Sequence, residues 1–410
     1  MDPIPIRNYA QRIETELTQN ILPFWPIQVV DQERGGFYGS LTNDLAIDRT
    51  VPRGALLSAR ILWTYSAAHL QYKNPAYLEM AHRAYVDLEE NFRDREHGGY
   101  FWSISAEGAP LKTRKQVYGQ AFAIYALTEY HRTSGLRKPL EQAIELYQLL
   151  EKHALEPKFG GYLEAFSREW NPIEDVRLSE IDLNEPKSQN THLHVMEAYT
   201  NLLRVWPDPG LKRNQAALID VMLTRILCAK THHLQLFFAN DWTPRSNAVS
   251  YGHDIEASWL LIQAATVLGD PALLQRLNPI ALDIANTTLA QGIDTDGAVF
   301  NAGDDTGVTD TAKEWWPQAE AVVGFLDAYQ LFHDERFLRA ALHCWDFIET
   351  RLIDRTDGEW FRGVDRAGNV LPEQLKVSFW KCPYHNGRAC MEAARRLRAI
   401  ATANVPHPVS

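Results

Sequence analysis

The sequence predicts an all-α fold, an (α/α)6 barrel of about twelve helices in two concentric rings with short β-hairpins at one end. Three observations predict it. A glycine–aromatic pattern recurs along the chain at intervals of about 62 residues, which is the signature of a repeat architecture. Two helix-length runs lie between successive copies, and the first of each pair is the more apolar. No low-complexity linker interrupts the 410 residues, so the chain reads as one domain, 1–410, although length alone suggests about two or three.

The pattern is clearest as DQERGGFYGSL (31–41), DREHGGYFWSI (94–104) and KFGGYLEAF (158–166). Weaker copies are HHLQLFFAND (232–241), DTDGAVFNAG (294–303) and DRTDGEWFRGV (354–364). Each reads as a turn followed by a short alternating strand or hairpin. The more apolar helices are expected near 54–72, 117–134, 190–206, 253–268, 316–332 and 384–401, and form the inner ring. The outer helices are expected near 76–93, 137–154, 211–228, 270–290 and 335–352, with the opening segment 7–24 as the sixth. These are amphipathic, as in YLEMAHRAYVDLEENF, with charge gathered on one face. Junctions such as LGDPALL (268–274) and TSGLRKPL (133–140) suit short turns. An open α-solenoid has the same signature, because closure of the ring is not written in the sequence.

Composition narrows the function classes. The chain is 45% hydrophobic and 23% charged, with a net charge of −11 and no long basic run, so nucleic-acid binding is not expected. Cys228, Cys344, Cys382 and Cys390 have no zinc-like or disulfide-framework spacing and read as free thiols of a reducing, cytoplasmic compartment. The start MDPIPIRNYAQRIETEL carries no apolar signal core, and no run of 18 apolar residues occurs, so neither export nor membrane association is expected. A monomer is expected, with a tail (ATANVPHPVS) that frays.

The candidate site begins at KCPYHNGRACME (381–392). Pro383 precedes a helical run, which places His385 and Arg388 in a first turn, on one face. The positive end of a helix dipole disfavours an imidazolium, and a neutral imidazole can act as a base. SYGHDIEASWLL (250–261) presents His253 ahead of a helix with Glu256 one turn on, and NTHLHVMEAYTNLLRVW (190–206) gives His194 and Glu197 the same spacing. A single His at a helix start is most often a cap or a satisfied surface group. Three at equivalent repeat positions are harder to dismiss. The other inner helices carry Arg60 and Trp63, Tyr118 and Gln120, Asn190, and Trp316 with Glu320, while Trp380 stands just ahead of the last. Each has a bland reading as core packing, ion pair or dipole complement. On otherwise apolar helices, however, polar residues must face solvent or a polar cavity. Together they read as one funnel at the inner-helix N-termini, with His and Glu for proton transfer, Arg for fixed charge and aromatic faces for sugar rings. No Walker or Rossmann loop and no HExxH zinc pattern occurs, so neither a metal nor a cofactor is expected.

Six ordered motifs then carry a resemblance: ARILW (59–63), KQVYGQAF (115–122), NTHLHVMEAYTNL (190–202), SYGHDIEASWLL (250–261), WWPQAEAVVGF (315–325) and WKCPYHNGR (380–388). They resemble the N-acylglucosamine 2-epimerase superfamily, and within it the cellobiose 2-epimerase branch, over nearly the whole chain. The stretch 167–189 matches least and is expected to form a loop over the mouth. The resemblance implies an (α/α)6 barrel, no cofactor, an oligosaccharide substrate and epimerisation at C2 of the reducing-end glucose in β-1,4-linked disaccharides. By motif it implies Arg60, His194, His253, Glu256 and His385 as catalytic residues. Tyr118, Asn190, Trp316 and Trp380 are implied as sugar contacts, and Glu320 is grouped with them. Enzymes acting on N-acetylglucosamine or mannose share the scaffold. A glycoside hydrolase using Glu256 and Glu320 as its carboxylate pair, or a non-catalytic sugar-binding protein, remains open, because fold alone does not decide function.

Overall fold

A computed structural model describes residues 5–403. In chain order the helices are α1 (Ile6–Glu16), α2 (Leu22–Gln28), α3 (Ala55–Tyr72), α4 (Pro75–Asp87), α5 (Val117–Ser134), α6 (Arg137–His153), α7 (Gln189–Leu203), α8 (Pro209–Val221), α9 (Tyr251–Leu268), α10 (Pro271–Thr287), α11 (Trp315–Phe332), α12 (Glu335–Phe347) and α13 (Tyr384–Ala403). The inner ring is α3, α5, α7, α9, α11 and α13, each packed on the next, and α13 returns to α3. That contact closes the ring and rules out the open solenoid. The outer helices pack on the inner helix preceding them, and α1 packs on α13.

The inner helices are buried nearly all round, as the apolar runs predict. Four of the outer helices start on side-chain caps: Asn74, Asp208, Asp270 and Asp334 each accept a first-turn amide. Proline follows three of these caps, at Pro75, Pro209 and Pro271. Five outer segments differ from the uninterrupted helices expected. Each closes on or contains one π-helical turn, at Leu17–Ile21, Leu88–Phe92, Met222–Ile226, Thr288–Gly292 and Ile348–Leu352. Four of these turns lead directly into a hairpin, so the wider turn redirects the chain where the helix ends. The segment α7 stops at Leu203 rather than 206, and α9 starts at Tyr251, which puts His253 inside the helix. Residues 401–403 are still helical; the rest of the tail expected to fray lies outside the described residues.

The six glycine–aromatic copies are equivalent hairpins, closed by the bridges Val30–Phe37, Arg93–Tyr100, Leu155–Tyr162, Leu227–Leu234, Ile293–Val299 and Ile353–Trp360. They are also joined into a second ring. The short strand before one inner helix pairs antiparallel with the strand after the next hairpin: Arg53 with Ile104, Lys115 with Phe166, Lys187 with Phe238 and Lys313 with Val364. The bridges Val249–Gly303 and Leu41–Val377 complete the circle. Side chains fasten the hairpins to the helices. The fourth residue of an inner helix grips the hairpin backbone: Gln120 accepts from Tyr100 N at 2.8 Å and donates to its carbonyl at 2.8 Å. Gln318 does the same with Val299, His192 Nε2 accepts from Tyr162 N at 2.8 Å, and Asp254 accepts from Leu234 N at 2.8 Å. Gln120 is thus a structural clamp rather than a mouth residue. Buried lysines supply a further set of ties, with Lys115 on Asp94, Lys187 near Glu156, Lys313 on Asp294 and Lys376 on Asp354.

All four cysteines are unbridged, and no helix among the described residues is long and apolar enough to cross a membrane.

Lys376 is fully buried, and its ammonium serves Asp354 and the Gly358 carbonyl. Removing one partner of a buried pair leaves the other charge uncompensated. Lys376→Met is therefore expected to lower stability by about 3 kcal/mol, read as a shifted denaturant midpoint; an unchanged midpoint would show that the tie is dispensable.

Candidate active site

The N-terminal ends of the inner helices converge on a cavity of about 350 Å³. Of the ten residues singled out from the sequence, Arg60, Tyr118, Asn190, His194, His253, Trp316, Trp380 and His385 line it, and Glu256 and Glu320 do not. Depth sorts them. Tyr118, Asn190, Trp316 and His385 are each the second residue of their helix, and His253 is the third of α9. One turn deeper, at the sixth residue, stand Arg60, His194, Glu256 and Glu320. The three His are therefore not at equivalent repeat positions. Ser188 caps α7 through the Thr191 amide, so that helix offers Asn190 at the rim and His194 below it.

Each imidazole has Nδ1 engaged by the protein. His253 Nδ1 lies 2.8 Å from Ser250 Oγ, His385 Nδ1 2.6 Å from Glu320 Oε1, and His194 Nδ1 2.9 Å from Glu197 Oε2. The second nitrogen of each ring is left for the cavity. The Trp316 ring touches both rim imidazoles, with centroids 4.6 Å from His253 and 5.7 Å from His385. Burial pushes the His385 pKa well below the ordinary range, helped by the Arg60 and Arg388 charges. Burial, with His194 nearby, likewise lowers that of His253. Both rings are thus neutral near pH 7.

Arg60 is buried and donates from NH2 to Tyr118 Oη at 2.7 Å and from NH1 to the Trp380 carbonyl at 3.2 Å. Its guanidinium rests 4.3 Å from the Phe122 ring centroid. Burial opposes its charge, but Tyr118, Cys382 and Tyr384 more than offset this and raise its pKa. It is a fixed positive charge in the wall.

Behind the wall, Arg388 gathers three buried carboxylates. NH2 donates to Glu256 Oε1 at 2.6 Å and to Glu320 Oε1 at 2.7 Å, and NH1 donates to Glu197. Tyr384 Oη also donates to Glu197, at 2.6 Å. Burial raises the carboxyl pKa of Glu256, with Glu320 adding repulsion, and burial raises Glu320 against the pull of Arg388. Glu197 goes the other way: Arg388 and His194 overcome burial and lower it. One carboxylate oxygen each of Glu256 and Glu320 lies with a His385 nitrogen inside a 4.8 Å group, a spacing that a metal also requires. The Arg388 guanidinium already bonds both carboxylates, so the donor set fits a cation poorly.

The chain matches the model of the N-acylglucosamine 2-epimerase (GlcNAc 2-epimerase) family over residues 36–388. It belongs to that family. It is 46% identical to a cellobiose 2-epimerase of Bacteroides fragilis over 93% of this chain and 97% of the relative. Its fold matches the solved cellobiose 2-epimerase of Spirochaeta thermophila with a TM-score of 0.91 at 41% identity, covering 97% of this chain and 100% of that one. The enzyme of the same description from Bacillus thermoamylovorans gives 0.90 at 39% identity, covering 95% and 99%. The chain is accordingly an isomerase of the carbohydrate epimerase type with the (α/α)6 fold.

Membership of the N-acylglucosamine 2-epimerase family does not by itself disclose every wall residue. Residues 178–182, within the poorly matching stretch, form part of the wall, and Ile181 is 94% exposed there. Glu314, at the end of one strand of the β ring, and Arg362, just ahead of its partner strand, also contribute, as does Trp315. Glu314 directly follows the buried Lys313 and precedes α11, and that strand-to-helix junction is the only sequence sign of it.

Gly252 makes room for Trp316. A Cβ there would lie 2.6 Å from its indole ring. Gly252→Ala is expected to cost about 1–3 kcal/mol through overpacking and to raise KM for the sugar by moving the ring away from His253. Steady-state kinetics and thermal unfolding check both effects; no change in either would mean that α9 yields instead of the ring.

Proposed function

We propose that this chain epimerises C2 of the reducing-end glucose of β-1,4-linked disaccharides, converting cellobiose to glucosyl-mannose and lactose to epilactose. The observation that carries this reading is the pair of neutral imidazoles, His253 and His385, from non-adjacent inner helices on one cavity with an indole against both. The disaccharide rests on the relatives' activity, and the wall segment 178–182 offers surface for a second sugar. The reading includes one catalytic domain over 1–410, acting as a cytoplasmic monomer without metal or cofactor.

The chemistry follows from the acidity of the substrate. C2–H of a closed glucose ring is too weak an acid, so the ring opens first and C2 comes to lie beside an aldehyde. One imidazole removes the C2 proton, and the electron pair moves into a cis-enediolate. The other imidazole returns a proton from its N–H to the opposite face of C2, as His385 can from Nε2 while its Nδ1 takes up the Glu320 proton, and the sugar ring closes as the mannose epimer. One proton leaves and one is added, so nothing is oxidised or reduced overall. Arg60 places fixed charge where the enediolate oxygens develop, and His194 hydrogen-bonds the O1/O2 region. Trp316 and Trp380 stack on the sugar, while Tyr118 and Asn190 bond its hydroxyls. Glu256 and Glu320 act from behind through Arg388, and Glu320 also through His385. A hydrolase reading has less to stand on, since both carboxylates are tied to one guanidinium instead of flanking the cavity.

Two outcomes test the proposal. In D2O with cellobiose, wild type should form the mannose-terminated epimer carrying deuterium at C2, read by NMR. His253→Asn or His385→Asn should lose turnover by about 10²–10⁴, and one of the two should still wash deuterium into unepimerised substrate. Release of free glucose instead would favour hydrolysis. The pH profile supplies the second test. The base works only while neutral, so activity is present above its pKa and lost below it. Both rim pKa values are lowered, so the acid limb of kcat/KM should lie below about 6.5, the ordinary imidazole value. A limb at or above that value would exclude these two rings as the base.

A further inference from the structure

The ring of strands repeats one junction at the inner-helix starts. The first amide of α3, α5, α7 and α11 donates to the carbonyl of the residue just ahead of the partner strand: Ala55 to Trp102, Val117 to Glu164, Gln189 to Leu236 and Trp315 to Arg362, at 2.8–3.2 Å. Among these four junctions, the one at α11 sets charged side chains on the sugar cavity, with Glu314 just before the helix and Arg362 beside the partner strand. The corresponding polar groups at α5 are spent on the protein. Glu164 accepts from Ser188 N at 2.8 Å and from Thr191 Oγ1 at 2.7 Å, and Gln116 donates to the Val176 carbonyl at 3.3 Å.

Arg362 differs. Among the described residues its guanidinium forms no hydrogen bond, and the acid it faces, Glu314 Oε1, lies 4.0 Å from Nη2, beyond direct bonding. Its Nε is enclosed, but the side chain is 29% accessible and the two terminal nitrogens keep surface on the cavity side. Burial raises the Glu314 pKa, and the Arg362 charge and the Trp316 side chain draw it back down. The pair also stands at a telling height. Glu314 directly precedes α11, whereas Trp316 is the second residue of that helix and Glu320 the sixth. The floor is closed by Arg388 and its carboxylates. A glucose with C2 between His253 and His385 therefore extends toward the mouth, past Glu314 and Arg362, and a unit linked to its O4 leaves in that direction.

We propose that Arg362 and Glu314 are specificity-determining residues for the distal sugar of the disaccharide, the guanidinium donating to one of its hydroxyls and the carboxylate accepting from a neighbouring one. The inference rests on the epimerase reading above. Adjacent sugar hydroxyls each donate and accept, so they can bridge a fixed cation and anion that do not bond each other, and both contacts are charge-assisted.

Steady-state epimerisation of cellobiose by the intact protein tests this, with glucose, which lacks the distal unit, as a competitive inhibitor. Arg362→Met should raise KM for cellobiose at least about tenfold, as loss of a hydrogen bond to a charged group implies, and leave Ki for glucose at the wild-type value. Glu314→Gln keeps an acceptor and should raise KM by less than Glu314→Ala does. A general loosening of the site would raise KM and Ki together, so parallel rises overturn the assignment, as does an unchanged KM in Arg362→Met. Wild type that forms no epimer removes the epimerase reading itself; active wild type with variants of unchanged KM removes the pair alone. The Arg362 guanidinium bonds nothing in the protein, so Arg362→Met stays interpretable even if Glu314→Ala fails to fold.

Discussion

The Arg388 guanidinium is the interaction on which the barrel interior depends. It lies at the ring's centre against the Trp259 and Tyr384 faces and bonds carboxylates from α7, α9 and α11. Burying one cation with three carboxylates is unfavourable unless protons or further donors balance the charge. The structure supplies both. Tyr384 and His194 add donors to Glu197, which stays ionised, and burial drives Glu256 and Glu320 toward the protonated form. One Oε2 on each of Glu256 and Glu320 lacks a protein partner, as fits a pair of buried carboxyls that do not both carry charge. The inner helices are thereby locked in depth relative to one another, and the rim residues inherit that registration.

Two kinds of tie hold the site end. The central network fixes the helices from inside, and the ring of strand pairs fixes their starts from outside. Clamps such as Gln120, His192 and Gln318 connect the two. His192 shows how a polar residue in a sequence motif serves structure: its Nδ1 donates to the Ser188 carbonyl at 2.6 Å, its Nε2 accepts from Tyr162 N, and burial lowers its pKa to about 4. It is held neutral with both nitrogens spent. Its neighbour two residues on, His194, has one nitrogen left for the cavity.

This contrast explains how much was legible in the sequence. The six-fold repeat, the alternation of helix types and the rim residues were readable because each rests on a local pattern: glycine turns, apolar periodicity, and proline or cap residues at helix starts. Depth was not readable. Whether a helix begins at Gln189 or Asn190, or at Tyr251 or His253, depends on the Ser188 cap and on strand pairing with partners about fifty residues away. A one-residue change in start shifts a side chain by 100° around the helix. His194 was therefore equated with His253 and His385, and Glu256 and Glu320 were placed in the funnel although they lie behind it. Closure of the ring depends on α13 meeting α3 and on Leu41 meeting Val377, contacts between the ends of the chain that no local pattern encodes. The Glu314–Arg362 pair escaped notice for the same reason, whereas residues 178–182 belong to the stretch 167–189 that was expected as a loop over the mouth.

A buried carboxyl stands behind one rim imidazole and a hydroxyl behind the other. With Glu320 ionised, His385 Nδ1–H donates to it and Nε2 presents a lone pair. With the proton on Glu320, Nδ1 accepts and Nε2–H becomes a donor. Burial and the Arg388 charge act in opposite directions on Glu320, which narrows the gap between these two states. A proton shifted within a 2.6 Å hydrogen bond thus changes what His385 offers the cavity without moving a heavy atom. His253, backed by Ser250 Oγ at 2.8 Å, has no acidic group with which to exchange a proton. It can exchange a proton with the cavity side alone. The proposed acid and base are then chemically unequal: one is buffered by the central network and one is not. In a reversible epimerisation each must give and take a proton in turn, and this asymmetry ties the behaviour of His385 to the same guanidinium that holds the barrel in register.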